Sequence, residues 1–354
     1  MKKRLFALIL AGLMTLSIVG CGKSSSSDSE TGGSEKSANV ENTETKELKL
    51  GHPLGPGTSQ HIYLQKWADA VYEASNGKYK ISVYPSAQFG EARELVESLS
   101  NGIYDVGWVD SSTMDFLVPE ANMLYLAFFF EDYDELWKAI DGNTGDRLAE
   151  ITEEKGNIHL LSAFSLGCRE IFSNKEIVGL DSLKNLKFRV PELDMWINTF
   201  KVLGMNPTPV AWSELYTALA SKVVDGACAN WETIAGQKMY KEAPYIWESN
   251  HFFQTGFPAF NFNFWNSLSD EDKQMFTDTC FEIAKEQRTN VEDLDKQYKQ
   301  SILDDGGHIL ERNDFADIDE VIDRYQNGLW KTMVEEAGAQ ELYEIMCTDT
   351  GKNP

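Results

Sequence analysis

Basic side chains are scarce in this sequence. Its 354 residues include 32 lysines and arginines against 56 aspartates and glutamates, which gives a formal net charge of −24. Nucleic acids and anionic membranes bind clustered positive charge, so this balance argues against both classes of partner. If so acidic a chain binds an acidic small molecule, it needs a site with its own locally concentrated positive charge.

Cysteine is also rare, and the cysteines show no close pairing. Five occur in the chain, none of them in a C-x-x-C arrangement, and this number is low for a disulfide scaffold. Four lie in the main body of the chain: Cys168, Cys228, Cys280 and Cys347. We expect mostly isolated, buried thiols, although an extracytoplasmic location would permit a bridge between two of them.

The common sequence motifs of catalysis are missing. The chain has no G-x-S-x-G, no H-E-x-x-H and no glycine-rich phosphate loop. Its many acidic residues lie mainly on predicted helical faces, where an acidic chain supplies chance carboxylate pairs. We therefore expect no enzyme activity, no cofactor and no metal site. An extracytoplasmic hydrolase with a carboxylate pair, including Asp110, is the alternative.

The first twenty residues are typical of a targeting segment. A basic start is followed by Leu5 to Val19, an apolar run too short for a comfortable membrane span. The run ends in S-I-V-G-C, which resembles a bacterial lipobox and makes Cys21 the expected lipidated residue. An ordinary cleaved signal peptide with an incidental cysteine is the alternative.

A polar linker follows the targeting segment. Residues 22–46 are rich in Ser, Gly, Glu and Thr and contain almost nothing apolar that could offset their ordering entropy. We predict a lipoprotein signal peptide over residues 1–20 and a lipidated, flexible tether over 21–46. Such a chain would be anchored at the extracytoplasmic face of the bacterial cell membrane, in the periplasm or at the cell surface.

Strand and helix patterns alternate beyond residue 46, which predicts an α/β fold. The predicted strands are Leu48 to His52, Lys78 to Tyr84, Tyr104 to Val109, Ile158 to Phe164 and Leu186 to Val190. The predicted helices are one that begins at Thr58 or Ser59, Glu91 to Leu99, Asp134 to Ile140 and Thr144 to Lys155. A last helix over 269–304 would be roughly 50 Å long at 1.5 Å per residue, with a break near Thr289–Asn290 as the alternative.

One strand carries the main candidate for a binding residue. Apolar side chains alternate there with Lys187 and Arg189, and Pro191 ends the strand. A guanidinium near a strand end suits a carboxylate, because its planar donors match both carboxylate oxygens. An arginine on a solvated strand face is the alternative.

Several motifs occur in a characteristic order. R-V-P, L-G-x-x-P-T-P, S-E-L-Y-T-A-L and V-V-D-G follow one another between residues 189 and 226. Y-P-S-A-Q-F-G-E-A-R-E-L and N-G-I-Y-D-V-G precede them, and Q-K-M-Y-K-E and S-N-H follow. Together they resemble the DctP-type solute receptors of tripartite ATP-independent periplasmic (TRAP) transporters, over about residues 47–345. An ABC-type solute-binding lipoprotein would share the signal and tether, but the ordered motifs argue against it.

The resemblance implies a fold and a mechanism. The fold would be two-lobed and periplasmic-binding-protein-like, with a long lobe-spanning helix and a ligand cleft between the lobes. Lobe I would comprise 47–166 plus 255–294, and lobe II 167–254 plus 295–348. The receptor would be a monomer that binds a small organic acid, closes about a hinge and delivers the acid to the TRAP membrane permease subunits.

The resemblance also implies roles for particular residues. Arg189 would anchor the ligand carboxylate and Arg169 would be a second cation. Trp212 occupies the position of an aromatic residue that packs on the ligand, with packing at a helix start as the alternative. For Glu214 we favour a structural role, orienting an arginine or capping a helix start, over a ligand contact.

Three further candidates lie near the ends of predicted strands. Trp108 and Asp110 are at a strand end where the family varies its ligand contacts. Asp110 would accept a hydrogen bond from a substrate hydroxyl, unless it is a solvated loop residue. His52 would reach the cleft, although a lone histidine is more often structural.

The chain departs from the family pattern after V-V-D-G. The family commonly has a ligand-facing asparagine where this chain has Ala229, and Asn230 and Trp231 follow. The asparagine contact is therefore either displaced by one residue or absent. Asp110 and Asn230 indicate a hydroxylated or sugar acid, whereas the tryptophans would also fit an aromatic acid.

Overall fold

Strands and helices alternate through residues 44–354, the part of the chain that the computed structural model describes. The strands are β1 Lys46–Gly51, β2 Tyr79–Tyr84, β3 Val106–Asp110, β4 Ile158–Leu160, β5 Phe164–Ser173, β6 Lys187–Val190, β7 Asn206–Pro209, β8 Gly226–Asn230, β9 Tyr245–Asn261 and β10 His308–Leu310. The predicted signal peptide, Cys21 and most of the tether lie outside the described residues.

The α-helices connect these strands. They are α1 Ser59–Ala74, α2 Ala92–Ser100, α3 Tyr133–Ile140, α4 Asn143–Gly156, α5 Leu180–Leu183, α6 Asp194–Val202, α7 Leu215–Ala220, α8 Trp231–Gly236, α9 Phe262–Ser267, α10 Asp270–Asp304, α11 Ile318–Arg324, α12 Trp330–Ala337 and α13 Gln340–Thr350. Short 3-10 turns occur at Ser111–Thr113, Pro119–Tyr125, Trp212–Glu214, Met239–Lys241 and Arg312–Asp314, and a π-helical turn at Tyr325–Leu329.

Two long strands connect the two lobes. A small parallel sheet pairs β1 with β2, and a larger sheet has the order β10-β9-β5-β8-β6-β7. The start of β9 pairs with β10, while its end pairs with β3 and β4 in antiparallel register. Because β5 also pairs along β9, these two strands run from one lobe into the other. The predicted lobe limits stay predictions.

Strand β5 is kinked where it crosses between the lobes. Its register with β9 shifts between Ser165 and Cys168, and Gly167 has φ +83°. A Cβ at Gly167 would lie 3.1 Å from Cβ of Asn230, so the crossing needs the glycine for both its backbone angle and its closeness to β8.

Each lobe has an apolar core of its own, and the long helix contributes to both. One core includes Leu50 and Trp67 together with Phe276 near the start of α10. The other includes Leu215 together with Ile302 near the end of α10. A third and larger cluster joins the buried apolar run 123–130 to the C-terminal helices.

The long helix is continuous. It runs for 35 residues, and its N-cap residue Ser269 accepts a hydrogen bond from the backbone N–H of Asp272 at 3.1 Å. The alternative break near Thr289–Asn290 is therefore wrong. In the middle of the helix, the Gln287 amide accepts from Ser165 N–H at 2.9 Å and donates to the Ser165 carbonyl at 2.7 Å. This pair of bonds fixes α10 to the crossing strand.

The V-V-D-G motif has a structural basis. The Asp225 carboxylate accepts from Lys187 N–H at 3.0 Å, which ties the turn to the start of β6. Gly226 begins β8, and a Cβ there would lie 2.3 Å from the Phe172 carbonyl oxygen. The motif therefore sets the position of β6, the strand that carries Arg189.

One strand prediction was wrong in its extent. The segment Ile158 to Phe164 was predicted as a single strand, but β4 ends at Leu160 and β5 begins at Phe164. Leu161 N–H still donates to the Pro258 carbonyl at 2.9 Å, and the chain then leaves the sheet before it re-enters at β5. Alternating apolar residues do not reveal such an interruption.

The state of the cysteines was predicted from the sequence. Cys168, Cys228, Cys280 and Cys347 are all buried and unpaired, which confirms the expectation of isolated thiols. Among residues 44–354, no helix combines the length and the apolar character that a membrane span requires.

Candidate functional site

A small cavity lies between the lobes, beside the middle of the crossing strands β5 and β9. It has a volume of about 150 Å³ and receives side chains from both lobes. Six residues selected from the sequence line it: Trp108, Asp110, Arg169, Arg189, Trp212 and Asn230. The remaining lining includes Pro53, Leu54, Gln60, Glu91, Ala92, Ser112, Thr113, Leu166, Pro191, Leu193, Trp196, Thr233 and Gln254.

The protein itself holds Arg169 firmly. This residue lies on β5 and is only 6% exposed. Its Nη1 donates to Oε1 of Gln254 at 2.9 Å, its Nη2 donates to the Cys228 carbonyl, and its Nε lies 3.4 Å from the Cys228 sulfur. Three acceptors thus fix the guanidinium before any ligand arrives.

Arg189 has far fewer protein contacts. It lies on β6, is 5% exposed, and donates from Nε to the Val210 carbonyl at 2.9 Å. Its two terminal nitrogens make no hydrogen bond to any residue of the described chain. Burial, and secondarily the positive charge of Arg169, lower the pKa of Arg189 to about 10, so it stays charged at neutral pH.

The cavity therefore contains two guanidiniums that lack a direct ion pair, because the Asp110 carboxylate in the same lining reaches Arg169 only through Gln254. Neither Arg169 nor Arg189 forms an ion pair with a carboxylate of residues 44–354. Burying a charge without a counter-ion is unfavourable, and an anionic group in the cavity would relieve that cost. The arrangement is suited to an anion that accepts two hydrogen bonds from Arg189.

Two tryptophans cover the guanidiniums. The ring of Trp212 lies 5.4 Å from the Arg189 guanidinium carbon and 5.9 Å from that of Arg169. The ring of Trp196, which the sequence analysis did not select, lies 5.0 Å from the Arg169 guanidinium carbon. These distances are within the cation–π range, and the rings also keep water from the charges.

Asp110 belongs to a hydrogen-bond relay that ends at Arg169. At the end of β3, its Oδ1 accepts from the Ser112 N–H at 2.9 Å, the Ser112 hydroxyl at 2.8 Å and the Tyr125 hydroxyl at 3.0 Å. Its Oδ2 accepts from Nε2 of Gln254 at 2.6 Å. Because Gln254 donates to Asp110, its amide oxygen faces Arg169. The hydrolase alternative gains no support here, since four donors already hold this carboxylate.

Trp108 and Asn230 are the remaining predicted residues that line the cavity. Trp108 is buried against Phe164, and a Cβ at Gly256 would lie 2.1 Å from its ring. Asn230 accepts from Thr233 N–H at 2.9 Å as the cap of α8, and its amide also donates to the Leu166 carbonyl. The Asn230 amide is thus occupied by the fold.

Three selected residues do not line the cavity. Glu214 is exposed and occupies the N-cap position of α7, but its side chain makes no capping hydrogen bond and pairs with no arginine of the described chain. The structural role favoured for it at the helix start stays a prediction. Trp231 is buried in a lobe core. His52 is buried beside His61, with 3.0 Å between their ring nitrogens. Burial, together with His61, lowers the pKa of His52 to about 4, so it is neutral.

Sequence reasoning missed Gln60, Trp196 and Gln254. Gln254 had a visible signal, because it is polar within the apolar run H-F-F-Q-T-G-F of β9. Gln60 and Trp196 lie in the first turns of α1 and α6, where no local pattern marks them. Among the described residues, no cluster of three or more His, Cys, Asp or Glu side chains is placed to hold a metal ion.

The chain matches a known protein family over most of its length. The family model of the bacterial extracellular solute-binding proteins, family 7 (DctP), matches residues 50–334. A solute-binding protein of Chromohalobacter salexigens is 31% identical over 252 residues, which cover 71% of this chain and 75% of that protein. The sialic acid-binding periplasmic protein SiaP of Vibrio cholerae is 29% identical over 228 residues, 64% of this chain and 71% of SiaP.

A solved structure shows the same fold. A TRAP periplasmic solute-binding protein from Chromohalobacter salexigens, with bound D-glucuronate, superposes with a TM-score of 0.79 and 28% sequence identity. The match covers 86% of this chain and 99% of that one. The two-lobed periplasmic-binding-protein fold and the ordered motifs thus agree with the family match. The chain belongs to family 7 of the bacterial extracellular solute-binding proteins, the DctP family of TRAP solute receptors.

Proposed function

We propose that this receptor binds a small sugar acid of about the size of a uronate, and that Arg189 holds its carboxylate. The observation that carries the proposal is the pair of buried guanidiniums, Arg169 and Arg189, with no carboxylate partner in the described chain. A planar carboxylate can accept two parallel hydrogen bonds from the free terminal nitrogens of Arg189.

The rest of the lining supports a hydroxylated ligand. Ser112, Thr113 and Gln60 supply polar groups in the same cavity as the arginines, and Trp212 offers an apolar face. Sugar acids present a carboxylate, several hydroxyls and a weakly apolar ring face, which suits this mixture. The SiaP relative and the glucuronate-bound structure are named for sugar acids, in keeping with this substrate class.

The substrate class can be tested by calorimetry on residues 44–354, unfolded and refolded to remove any copurified ligand. The panel is D-glucuronate, D-galacturonate, N-acetylneuraminate, succinate and the uncharged control D-glucose. We expect a sugar acid to bind and to raise the melting temperature, because it binds only the folded state, and glucose to do neither. Binding of glucose as tight as that of the acids would overturn the proposal.

The receptor would act by closing its lobes around the ligand and presenting the closed form to the membrane permease of a TRAP transporter. The long helix α10 and the crossing strands β5 and β9 supply the connection about which such a closure would occur. A decrease in the radius of gyration when the ligand is added, measured by small-angle scattering, would support closure. An unchanged radius at saturation would contradict it.

We further propose that the protein is a monomer, anchored by a lipid on Cys21 at the extracytoplasmic face of the membrane. The S-I-V-G-C sequence and the polar linker support this assignment. In bacterial fractions, the full chain should sediment with membranes and its Cys21→Ser variant should not. Equal fractionation of the two would count against the anchor.

A further inference from the structure

Gln60 differs from the other amides that line the cavity. It is the second residue of α1 and is 2% exposed. Neither its amide nitrogen nor its amide oxygen has a hydrogen-bond partner among the described residues. A buried amide with both groups unsatisfied is uncommon in native proteins and costs free energy. Its partner is therefore expected to be something that enters the cavity.

The other two lining amides are already occupied. Gln254 donates to Asp110 and accepts from Arg169, and Asn230 caps α8 and donates to Leu166. Only Gln60, of these three, has both a donor and an acceptor free for a ligand.

The backbone at Gln60 is held in place across the cleft. The N–H of Ser59, at the start of α1, donates to Oε1 of Glu232 on α8 at 2.7 Å. The first turn of α1 is also capped by Thr58, whose hydroxyl accepts from His61 N–H at 3.4 Å. Because both contacts fix this turn, the Gln60 side chain is presented to the cavity without a loop having to become ordered.

The chemistry of an amide limits its partner. A primary amide offers an acceptor oxygen beside two donor hydrogens. A carboxylate accepts only, so it would leave the amide oxygen unsatisfied, whereas hydroxyl groups both donate and accept. Two neighbouring hydroxyls of a sugar ring match both halves of the amide at once.

We propose that Gln60 selects the ligand by hydrogen bonding to its ring hydroxyls, so that the site discriminates polyhydroxylated acids from plain acids of the same charge. The inference rests on the proposed function and deepens it. Arg189 recognises the acid group, which every carboxylate has, and Gln60 recognises the hydroxyls, which only sugar acids and related compounds carry. A site built to bind a hydroxyl disfavours an analogue that lacks it, because its polar groups then stay unpaired.

The test compares two ligands of equal charge by calorimetry on the refolded protein. D-Glucuronate or D-galacturonate, whichever binds more tightly, is paired with tetrahydropyran-2-carboxylate, which keeps the ring and the acid but lacks the ring hydroxyls. We expect wild-type protein to prefer the uronate by at least about tenfold. Gln60→Leu and the longer Gln60→Met should lower uronate affinity about tenfold and leave that of the plain acid unchanged.

A matched variant separates selection from general damage to the site. Gln254→Leu removes a lining amide that supports Arg169, so it should weaken both acids by a similar factor. An equal loss of affinity for both acids in the Gln60 variants, or an unchanged affinity for the uronate, would overturn the proposal. The partner of the Gln60 amide would then be a bound water molecule and not the ligand. If wild-type protein binds both acids equally, Gln60 has no selective role and the proposed function stands. If it binds neither, both proposals fail.

Discussion

Two regions of this molecule bury charge without a counter-charge, and they resolve the problem differently. In the cavity, Arg169 and Arg189 have no carboxylate partner in the described chain. Elsewhere, Glu170 on β5 is fully buried and Asp295 on α10 is partly buried, and neither carboxyl has a cationic partner among the described residues. The guanidiniums make the first region positive, and the carboxyls make the second region negative when they are ionised.

The acidic region can neutralise itself. Burial raises the pKa of Asp295 to about 7, with the nearby carboxylates of Glu232, Glu292 and Glu248 as further causes. Burial also raises the pKa of Glu170 well above its usual value. A carboxyl group in such a place takes up a proton at mildly acidic pH, whereas a guanidinium with a pKa of about 10 stays charged. An anionic ligand would therefore give these guanidiniums the direct ion pair that the described chain does not supply.

The largest expected effect on affinity concerns Arg189, which makes fewer hydrogen bonds to the protein than Arg169 does. Arg189→Ala should lower sugar-acid affinity by about 2–5 kcal/mol, because the ligand carboxylate loses a buried, charged hydrogen-bond partner. Arg189→Lys keeps the charge but not the planar pair of donors, so its loss should be smaller. Calorimetry measures both. Arg147→Ala, a surface change at an arginine paired with Glu150 and Glu341, is the control, and unchanged affinity in Arg189→Ala would refute the assignment.

The next effect concerns Asp295 and has a defined pH dependence. Its pKa is raised on folding, so its contribution to stability is full below the unfolded pKa, near 3.8, and is lost as pH rises towards 7. At pH 8 the ionised, buried carboxylate should cost up to about 4 kcal/mol.

Replacing this group with a neutral one should remove the cost. Asp295→Asn can still accept a hydrogen bond from the Tyr133 hydroxyl, so urea denaturation should show it more stable than wild type at pH 8 but not at pH 4. Asp293→Asn changes an exposed carboxylate of the same helix and should not alter the pH dependence. Parallel pH profiles for wild type and Asp295→Asn would contradict the assignment.

A smaller effect is expected from breaking the relay beside Arg169. Gln254→Met conserves length but removes an acceptor from Arg169 and a donor from Asp110. We expect affinity to fall by about 1–2 kcal/mol, since Cys228 still holds the guanidinium. Gln274→Met on the surface of α10 is the control for the substitution itself. A loss of affinity as large as that of Arg189→Ala would contradict the assignment of Arg189 as the main carboxylate anchor and Arg169 as the secondary cation.

The smallest effect is expected at Glu214. Because its exposed side chain makes no capping hydrogen bond to α7 and pairs with no described arginine, Glu214→Ala should change affinity and unfolding free energy by less than about 0.5 kcal/mol. Thermal melts with and without ligand measure both quantities. A clear loss of affinity would restore the ligand role considered for this residue.

The sequence predicted most elements because their patterns are local. The limits of α2 and α3, the start of α10 and the alternation in β6 all depend on residues close in the chain. The interruption between β4 and β5 was not predictable in this way, since it depends on where β9 passes.

The site was predictable in part. Arg189 and Arg169 were selected through the resemblance, and the fold brings both into one cavity. Gln60 and Gln254 lie almost two hundred residues apart in sequence, so their shared place in the lining depends on the tertiary structure. His52 was selected from the sequence but does not line the cavity, because its ring packs beside His61 instead.

The attachment of α10 to strand β5 has a mechanical consequence. Gln287, which binds both backbone groups of Ser165, is the central residue of the helix, with 17 residues on either side of it between Asp270 and Asp304. Each arm is about 25 Å long at 1.5 Å per residue, so a bend of about 10° at the centre would move an end by about 4 Å. A small change in direction at this attachment to the crossing strand would therefore displace both ends of the helix, which pack into the cores of the two lobes.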